Sequence, residues 1–395
     1  MRRIINMFGD FFRKGDLVLL TLCLVTNAFG CLVIASTTNT MGSARYVIIQ
    51  MGAAFIGVLL YAIISSIDAE FFSEHRWIMV AFNTLLLLML IPFGTDNNTG
   101  NKSWLDFPFL PIDIQPAEIC KITFVLIMAS VMASHQNRIS GFRSSFTAVL
   151  HMVFHLAALV GLNLVLSSDM GVSLIFVFIF IGMAFAGGVH LGWFAVAAGG
   201  IALVAPLAWN YVFANHQKER LLALVAPQIA DPTGTGVLFQ SRQALRSLTG
   251  GGFTGQGLFN GTRTQTPDAL FAQHTDFIFS AIGEELGFVG CAVVLILLFA
   301  IIGRIIYVGS RSQDYMRRLI CFGAASALIF QVTSNVGMNL GVTPVIGLTL
   351  PFISYGGSSI VSLYAMLGLV SGVYARPSST SHERYIRPPY DFYND

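Results

Sequence analysis

Charge is what this chain has least of. Only 11% of its 395 residues are Asp, Glu, Lys or Arg, against roughly a quarter in soluble domains. Hydrophobic residues make up 55% and the mean hydropathy is +0.71, which excludes an ordinary water-soluble fold. The five cysteines, Cys23, Cys31, Cys120, Cys291 and Cys321, lie in or beside apolar runs and form no C-x-x-C pair. They read as small buried hydrophobes, not as a zinc site or a disulfide framework. A net charge of +2 gives no footing for a nucleic-acid partner. No soluble domain is expected at either end. Arg2, Arg3, Arg13 and Lys14 precede an apolar run from Leu17 to Ala35. That run is too long for a signal-peptide core and more follow it, so it reads as an uncleaved first helix.

What the chain does have is long apolar runs. Crossing ~30 Å of hydrocarbon takes about 20 residues, and such runs fall at 17–36, 46–67, 77–93, 118–134, 146–167, 172–188, 191–213, 277–307, 318–341 and 357–375. The expected fold is an all-α polytopic membrane protein of about ten transmembrane helices. One long loop, about 214–276, separates helices 7 and 8. Residues 1–375 form a single transmembrane domain and 376–395 a short polar tail. Lys and Arg set the orientation. With both termini cytoplasmic, that side collects Arg13, Lys14, Arg76, Arg138, Arg143, Arg304, Arg311, Arg317, Arg318 and Arg376, while the short outer loops keep Arg45, Lys102 and Lys121. Asp276, Asp169, Trp104 and the long loop then face outward.

Polarity changes most abruptly at Gln273-His274-Thr275-Asp276-Phe277-Ile278-Phe279, where the long loop gives way to an apolar helix. A carboxylate at such a boundary is costly unless hydrogen-bonded or used, so Asp276 is the leading candidate for function. Upstream, His216–Ala226 suits an interfacial amphipathic helix with Lys218 and Arg220 near headgroups. Arg242 and Arg246 are one turn apart on a second helical stretch. Gly250-Gly251-Gly252-Phe253-Thr254-Gly255-Gln256-Gly257 follows. These glycines are either a flexible tether or a backbone cradle for an anionic ligand, and the two arginines favour the cradle.

Other polar groups interrupt the spans. Glu118 and Lys121, three apart after Pro116, share a helix face and read as an ion pair. Asp169 reads as the cap of the sixth helix, with cation or substrate binding as the alternative. Trp104 is either an interfacial belt residue or a wall for sugar or lipid. Gln331, Asn335 and Asn339 form an i, i+4, i+8 stripe suited to interhelical hydrogen bonds or a groove lining. That stripe leads to Pro344, Pro351 and Ser354-Tyr355-Gly356-Gly357-Ser358-Ser359, broken backbone that must pack on protein or line a wet cavity. His151 and His155 lack further ligands at matching spacing and read as packing. Glu284 and Glu285 lie roughly 12 Å into the eighth helix and point about 100° apart, so each needs its own partner, at least one of them on a neighbouring span.

Taken in order, these motifs resemble the SEDS family (shape, elongation, division and sporulation: RodA, FtsW, SpoVE). The residues that carry the likeness are Gln115-Pro116-Ala117-Glu118 with Lys121, Asp169-Met170-Gly171, Gln243-Ala244 leading to Gly251-Gly252 and Gly255-Gln256-Gly257, His274-Thr275-Asp276-Phe277-Ile278-Phe279 with Gly283-Glu284-Glu285-Leu286-Gly287, Asn335-Val336-Gly337-Met338, and Leu350-Pro351-Phe352-Ile353-Ser354-Tyr355-Gly356-Gly357-Ser358-Ser359. The resemblance covers nearly the whole chain, and Asn335–Met338 leans toward the RodA branch. Departures occur at Phe271 and Ala272, where the family has Pro and an acid, at Ser103, where it has Arg before Trp104, and at Ser168, where it has Pro.

The resemblance implies a peptidoglycan glycosyltransferase that polymerises lipid II from an undecaprenyl-diphosphate donor at the outer face of the bacterial cytoplasmic membrane. A class B penicillin-binding protein would be its partner, and Asp276 its essential residue. One carboxylate can take the proton from the attacking sugar hydroxyl. Lys218, Arg220, Arg242, Arg246 or a divalent cation (Mg²⁺ or Mn²⁺, with Asp276 as ligand) would offset the leaving diphosphate. His274, Thr275, Ser354 and Tyr355 would line the substrate site. If Asp276 capped the eighth helix, its pKa would fall and weaken it as a base. The rival functions are a flippase for the lipid-linked precursor and a non-catalytic scaffold for the partner.

Overall fold

The computed structural model describes all residues except 1–12, 43, 96–100, 107–112, 212–214, 232–235, 237, 268 and 377–395. The expected tail 376–395 therefore lies almost wholly outside the described residues, as do Arg2 and Arg3. The helices that matter here are, in chain order, α1 (Leu17–Thr37), α2 (Ala44–Ser65), α3 (Arg76–Phe93), α4 (Pro116–Ser134), α5 (Phe146–Ser167), α6 (Met170–Ala186), α7 (Leu191–Tyr211), α8 (Asn215–Val225), α9 (Phe239–Gly250), α10 (Ile278–Arg311), α11 (Tyr315–Asn339) and α12 (Gly357–Ala375). Among the described residues nine are long and apolar enough to cross a membrane, and α6 is a shorter apolar helix of 17 residues. These helices overlie the apolar runs of the sequence, with α6 short for a span. The chain is a multi-pass membrane protein.

The centre of the bundle is α4, α11 and α12, the most buried spans. The partners of α11 include α10, α6 and α4, and α2 lies along α12. In lipid there is no hydrophobic drive between helices, so close approach through small residues matters. Gly57 supplies it against Tyr364, whose ring carbon would stand 2.6 Å from a Cβ built there; Gly368 does the same against the Tyr61 backbone at 2.9 Å. Peripheral α7 has no buried residue and is tied at its start by Trp193, whose Nε1 donates to Ser145 Oγ at 2.9 Å.

Arginines close the end of the bundle where α1 begins. Arg304 pairs with Asp16 at 2.9 Å and Arg317 with Asp68 at 2.7 Å. Arg376 donates to the carbonyls of Ser65 and Ile67 as α2 ends. Asp16 also caps α1 through Leu19 N–H.

At the opposite end the long segment folds back onto the bundle. α9 packs against α10 and α11. α10 is broken at Gly287 (φ 65°, ψ −162°), and the glycine-rich turn enters this break. The N–H groups of Gln256 and Gly257 donate to the carbonyls of Glu284 and Glu285, and those of Phe288 and Val289 to Gly252 and Phe253. A Cβ at Gly251 would lie 1.9 Å from Gly283 O, and one at Gly255 2.2 Å from Glu285 O. This corrects both readings of the glycines. The turn is packed against α10 as the means by which two backbones touch, and the N–H groups of Gly255, Gln256 and Gly257, which an anion cradle would need, are spent on carbonyls inside the protein.

The two glutamates complete the seam. Glu284 accepts from Arg263 N–H at 2.6 Å and from the Thr264 hydroxyl at 3.1 Å; Glu285 accepts from Ser36 Oγ at 2.6 Å and Gln265 Nε2 at 2.9 Å. The basic or amide partner expected on a neighbouring span is found on the loop instead, beside one hydroxyl from α1. Burying a carboxylate is tolerable when its lone pairs are filled in this way.

Candidate functional site

Asp276 stands one residue before the N-cap of α10. The cap is Phe277, which makes no side-chain cap bond. The Asp276 carboxylate accepts no hydrogen bond from the described residues, and only its backbone is held: Asn335 and Asn339 donate to its carbonyl at 2.9 and 3.1 Å. Asn339 also accepts from the Ser280 amide and hydroxyl, and Asn335 donates to Leu348 O. The polar stripe of α11 thus holds the entry to α10 and the 341–356 segment together. Turn geometry upstream helps. Ala272 has φ +52°, and its carbonyl accepts from Thr275 N–H and Phe277 N–H. The dipole-lowered pKa feared for a capping Asp276 does not arise. Its half-buried side chain is desolvated, and with the Asp169 charge nearby the carboxyl is pushed up to about 6.

The 341–356 segment forms one wall. Ser354 Oγ donates to Thr275 O at 2.6 Å, and Tyr355 N–H to His274 O at 2.9 Å. Gln50 of α2 locks the same segment, giving its amide to Ser354 O and accepting from Gly356 N–H. The His274 ring lies 5.2 Å from Tyr46 and 5.8 Å from Tyr355, with its Nδ1 buried and unpartnered. Burial lowers its pKa, so the ring is neutral near pH 7.

The other wall carries Asp169. Its Oδ1 caps α6 through Val172 N–H at 3.1 Å, as expected, and its Oδ2 accepts from Gln115 Nε2 at 3.1 Å. Burial raises this carboxyl too. Gly171 lets the start of α6 approach the 346 carbonyl, where a Cβ would be 2.5 Å away. At the next residue, Gly347, a Cβ would be 3.8 Å from Asp276 Oδ2. The two acids therefore flank one stretch of chain. Below them Lys121 pairs with Glu118 at 2.8 Å, both fully buried, and Ser362 Oγ donates to the other Glu118 oxygen at 2.7 Å. Lys121 is thus a helix-interior charge of α4 and not an outer-loop one.

Not every expected residue joins this site. Ala244 of α9 packs on Phe277. Arg242 and Arg246 are each two residues from it, about 200° round the helix, and both are exposed. They lie on the exposed side of α9. Arg220 lines a small groove with Leu224, Leu238, Ser241 and Pro344, and Lys218 lies on the same helix, α8. Trp104 sits half-buried in a two-residue strand paired with Thr95. No cluster of three metal-ligating side chains occurs among the described residues. Gln50 and Tyr46 were missed by sequence reasoning. Gln50 was open to the criterion that found Asn335, a polar residue inside an apolar run; nothing in the sequence marked Tyr46.

Nine spanning helices among the described residues, a shorter apolar tenth, a half-buried acid that accepts no hydrogen bond from those residues and a pinned polar wall beside it define a class: polytopic membrane proteins. The profile of the cell cycle proteins FtsW, RodA and SpoVE matches residues 16–378, and the chain belongs to that family. It is 31% identical over 365 residues, 90% of each chain, to the probable peptidoglycan glycosyltransferase FtsW of Thiomicrospira cyclica. Against that of Haemophilus influenzae it is 33% identical, over 73% of this chain and 70% of the relative. Its fold is similar to a chain from a peptidoglycan synthase complex that coordinates polymerization and crosslinking (TM-score 0.75, 27% identity, 94% and 99% covered). It is also similar to the rod shape determining protein RodA of Thermus thermophilus (TM-score 0.65, 25% identity, 91% and 96% covered).

Proposed function

We propose that this protein is a peptidoglycan glycosyltransferase that polymerises lipid II at the outer face of the cytoplasmic membrane, with Asp276 as general base. The observation that carries the proposal is the Asp276 carboxylate itself: fixed through its backbone, free at its side chain, and raised to about 6. A base with a pKa near the working pH combines a large ionised fraction with real proton affinity.

In the reaction, the acceptor sugar hydroxyl attacks the anomeric carbon of the donor. The C–O bond to the lipid diphosphate breaks, and the hydroxyl proton passes to Asp276. Asn335 and Asn339 keep the carboxylate in register. Ser354 and Tyr355 hold the 273–276 backbone against the opposite wall. Asp276, with Asp169 as a second carboxylate, would be the residues to hold a hard divalent cation, which would supply charge to the leaving diphosphate. Lys and Arg concentrated at the end bearing Arg304, Arg317 and Arg376 support cytoplasmic termini and an outward Asp276. The likeness to a chain of a polymerising and crosslinking complex supports a class B penicillin-binding protein as partner. The acids gather at one end of the bundle, whereas a transporter keeps its substrate site near mid-depth.

The test is glycan synthesis from labelled lipid II by purified protein, read on a gel with and without divalent cation and partner. Wild-type protein should build strands and Asp276→Asn should build none while remaining folded. Full activity of Asp276→Asn would remove the acid from its role.

A further inference from the structure

The leaving diphosphate carries negative charge, and several of the chain's cations at this end of the bundle already have other partners. Lys121 is spent on Glu118 and Arg263 donates to the Gln243 side chain, while Arg242 and Arg246 lie on the exposed side of α9. One side of the site is different. The first turn of α2 brings Tyr46 against the His274–Tyr355 wall, with Arg45 the residue before it. Tyr46 meets Tyr355 edge-on at 5.1 Å and His274 at 5.2 Å. Arg45 is exposed and makes no ion pair among the described residues. Neither tyrosine hydroxyl has a hydrogen-bond partner among them. Burial raises the Tyr355 phenol, Tyr46 and Asp113 raise it further, and the Arg45 guanidinium opposes them, so the guanidinium acts on that hydroxyl. Asp113, the one acid acting on the same phenol, already has an interaction of its own.

We infer that Arg45, with the hydroxyls of Tyr46 and Tyr355, forms an anion-binding edge beside Asp276 that takes the diphosphate of a lipid-linked glycan. The inference rests on the glycosyltransferase reading and names the cation that reading needs. Geometry favours these groups in combination. Tyr355 is the residue whose N–H is bonded to the His274 carbonyl, two residues from Asp276, so the edge is tied to the backbone that carries the base. Gln50, one helical turn beyond Tyr46, clamps the carbonyl of Ser354 and the amide of Gly356 on either side of Tyr355, which fixes α2 to that wall. A guanidinium and two phenols are a donor set matched to phosphate oxygens and offer nothing to a neutral chain.

The experiment measures binding of undecaprenyl diphosphate to the full-length protein in nanodiscs of neutral lipid. Undecaprenol serves as the uncharged control and inorganic diphosphate as competitor. Arg45→Ala should weaken undecaprenyl diphosphate by about 10- to 100-fold, the range for a lost charge-assisted hydrogen bond. Undecaprenol binding should be unchanged, and Arg45→Lys should restore part of the loss. The Arg242→Ala/Arg246→Ala pair should bind like wild type. Inorganic diphosphate should compete only weakly; competition as strong as the lipid's would make this a free-anion site and overturn the lipid-borne assignment. Wild-type affinity in Arg45→Ala, or a loss that follows Arg242 and Arg246 instead, would also overturn it. Arg45 is exposed, so its replacement leaves the bundle intact, which equal melting temperatures would verify. Arg45-dependent binding by a protein that never extends lipid II would sink the polymerase reading and leave this edge standing, so the two failures are distinguishable.

Discussion

Replacing Asp276 with asparagine should make the protein more stable while removing its activity. The carboxyl rises from 3.8 to about 6 on folding, chiefly by desolvation and then by the Asp169 charge. Each unit is worth about 1.4 kcal/mol, so ionised Asp276 costs the folded state at most about 3 kcal/mol. The side chain keeps an opening to the surface, and solvent screening reduces the figure to about 1–2 kcal/mol. Asparagine has the same shape and no charge to desolvate. Its advantage must also depend on pH with a definite sign. The folded carboxyl holds its proton up to about pH 6 and the unfolded one only to about 4. Between those values the folded state binds more protons, so wild-type stability falls as pH rises through the window. The gain from Asp276→Asn should be full above about pH 7 and vanish toward pH 4. Thermal unfolding in detergent, followed by tryptophan fluorescence across that range, should show an apparent melting point higher by about 2–4 °C at pH 8. A less stable variant, or a gap equal at every pH, would refute the reasoning. Strand synthesis by wild type should lose activity as pH drops below about 6, because protonated Asp276 cannot accept the hydroxyl proton.

Two further outcomes follow from the packing. Gly255→Ala places a Cβ 2.2 Å from Glu285 O at a residue with φ +81°, so it should cost more than about 2 kcal/mol and lower the yield of monodisperse protein; wild-type behaviour would mean the seam at Gly287 is loose. Lys121→Met leaves buried Glu118 without its cation and should destabilise by about 3–5 kcal/mol, whereas the double variant with Glu118→Gln should recover most of it, as melting curves of the three proteins would report.

Span positions were legible because a membrane imposes one requirement, about 20 apolar residues, that local sequence meets or fails. Asp276 was legible for a related reason: an acid beside an apolar helix stands out whatever the fold. Likewise Glu118–Lys121 and the Asp169 cap act within a turn or two, and short-range rules held for them. The glycine-rich turn resisted reading because glycine signals that something comes close without saying what. Its partner, the break at Gly287, becomes an obstacle or a fit only when two distant backbones meet. Arg242 and Arg246 show a related limit: their spacing was legible, but which side of the helix is buried is decided by Ala244 joining Leu270 and Phe277 in one apolar cluster.

The sequence by itself determined the class and marked the acid at the boundary between polar loop and apolar helix, since each depends on residue type along a single segment. Tertiary structure alone decided how that acid is presented. Asn335 and Asn339 lie about 60 residues away along the chain yet bind the backbone and not the carboxylate. Gln50 and Tyr46, from the second helix, finish the wall beside it. Proton affinity at Asp276 is a property of the desolvating surroundings those distant elements build, and no local pattern encodes it.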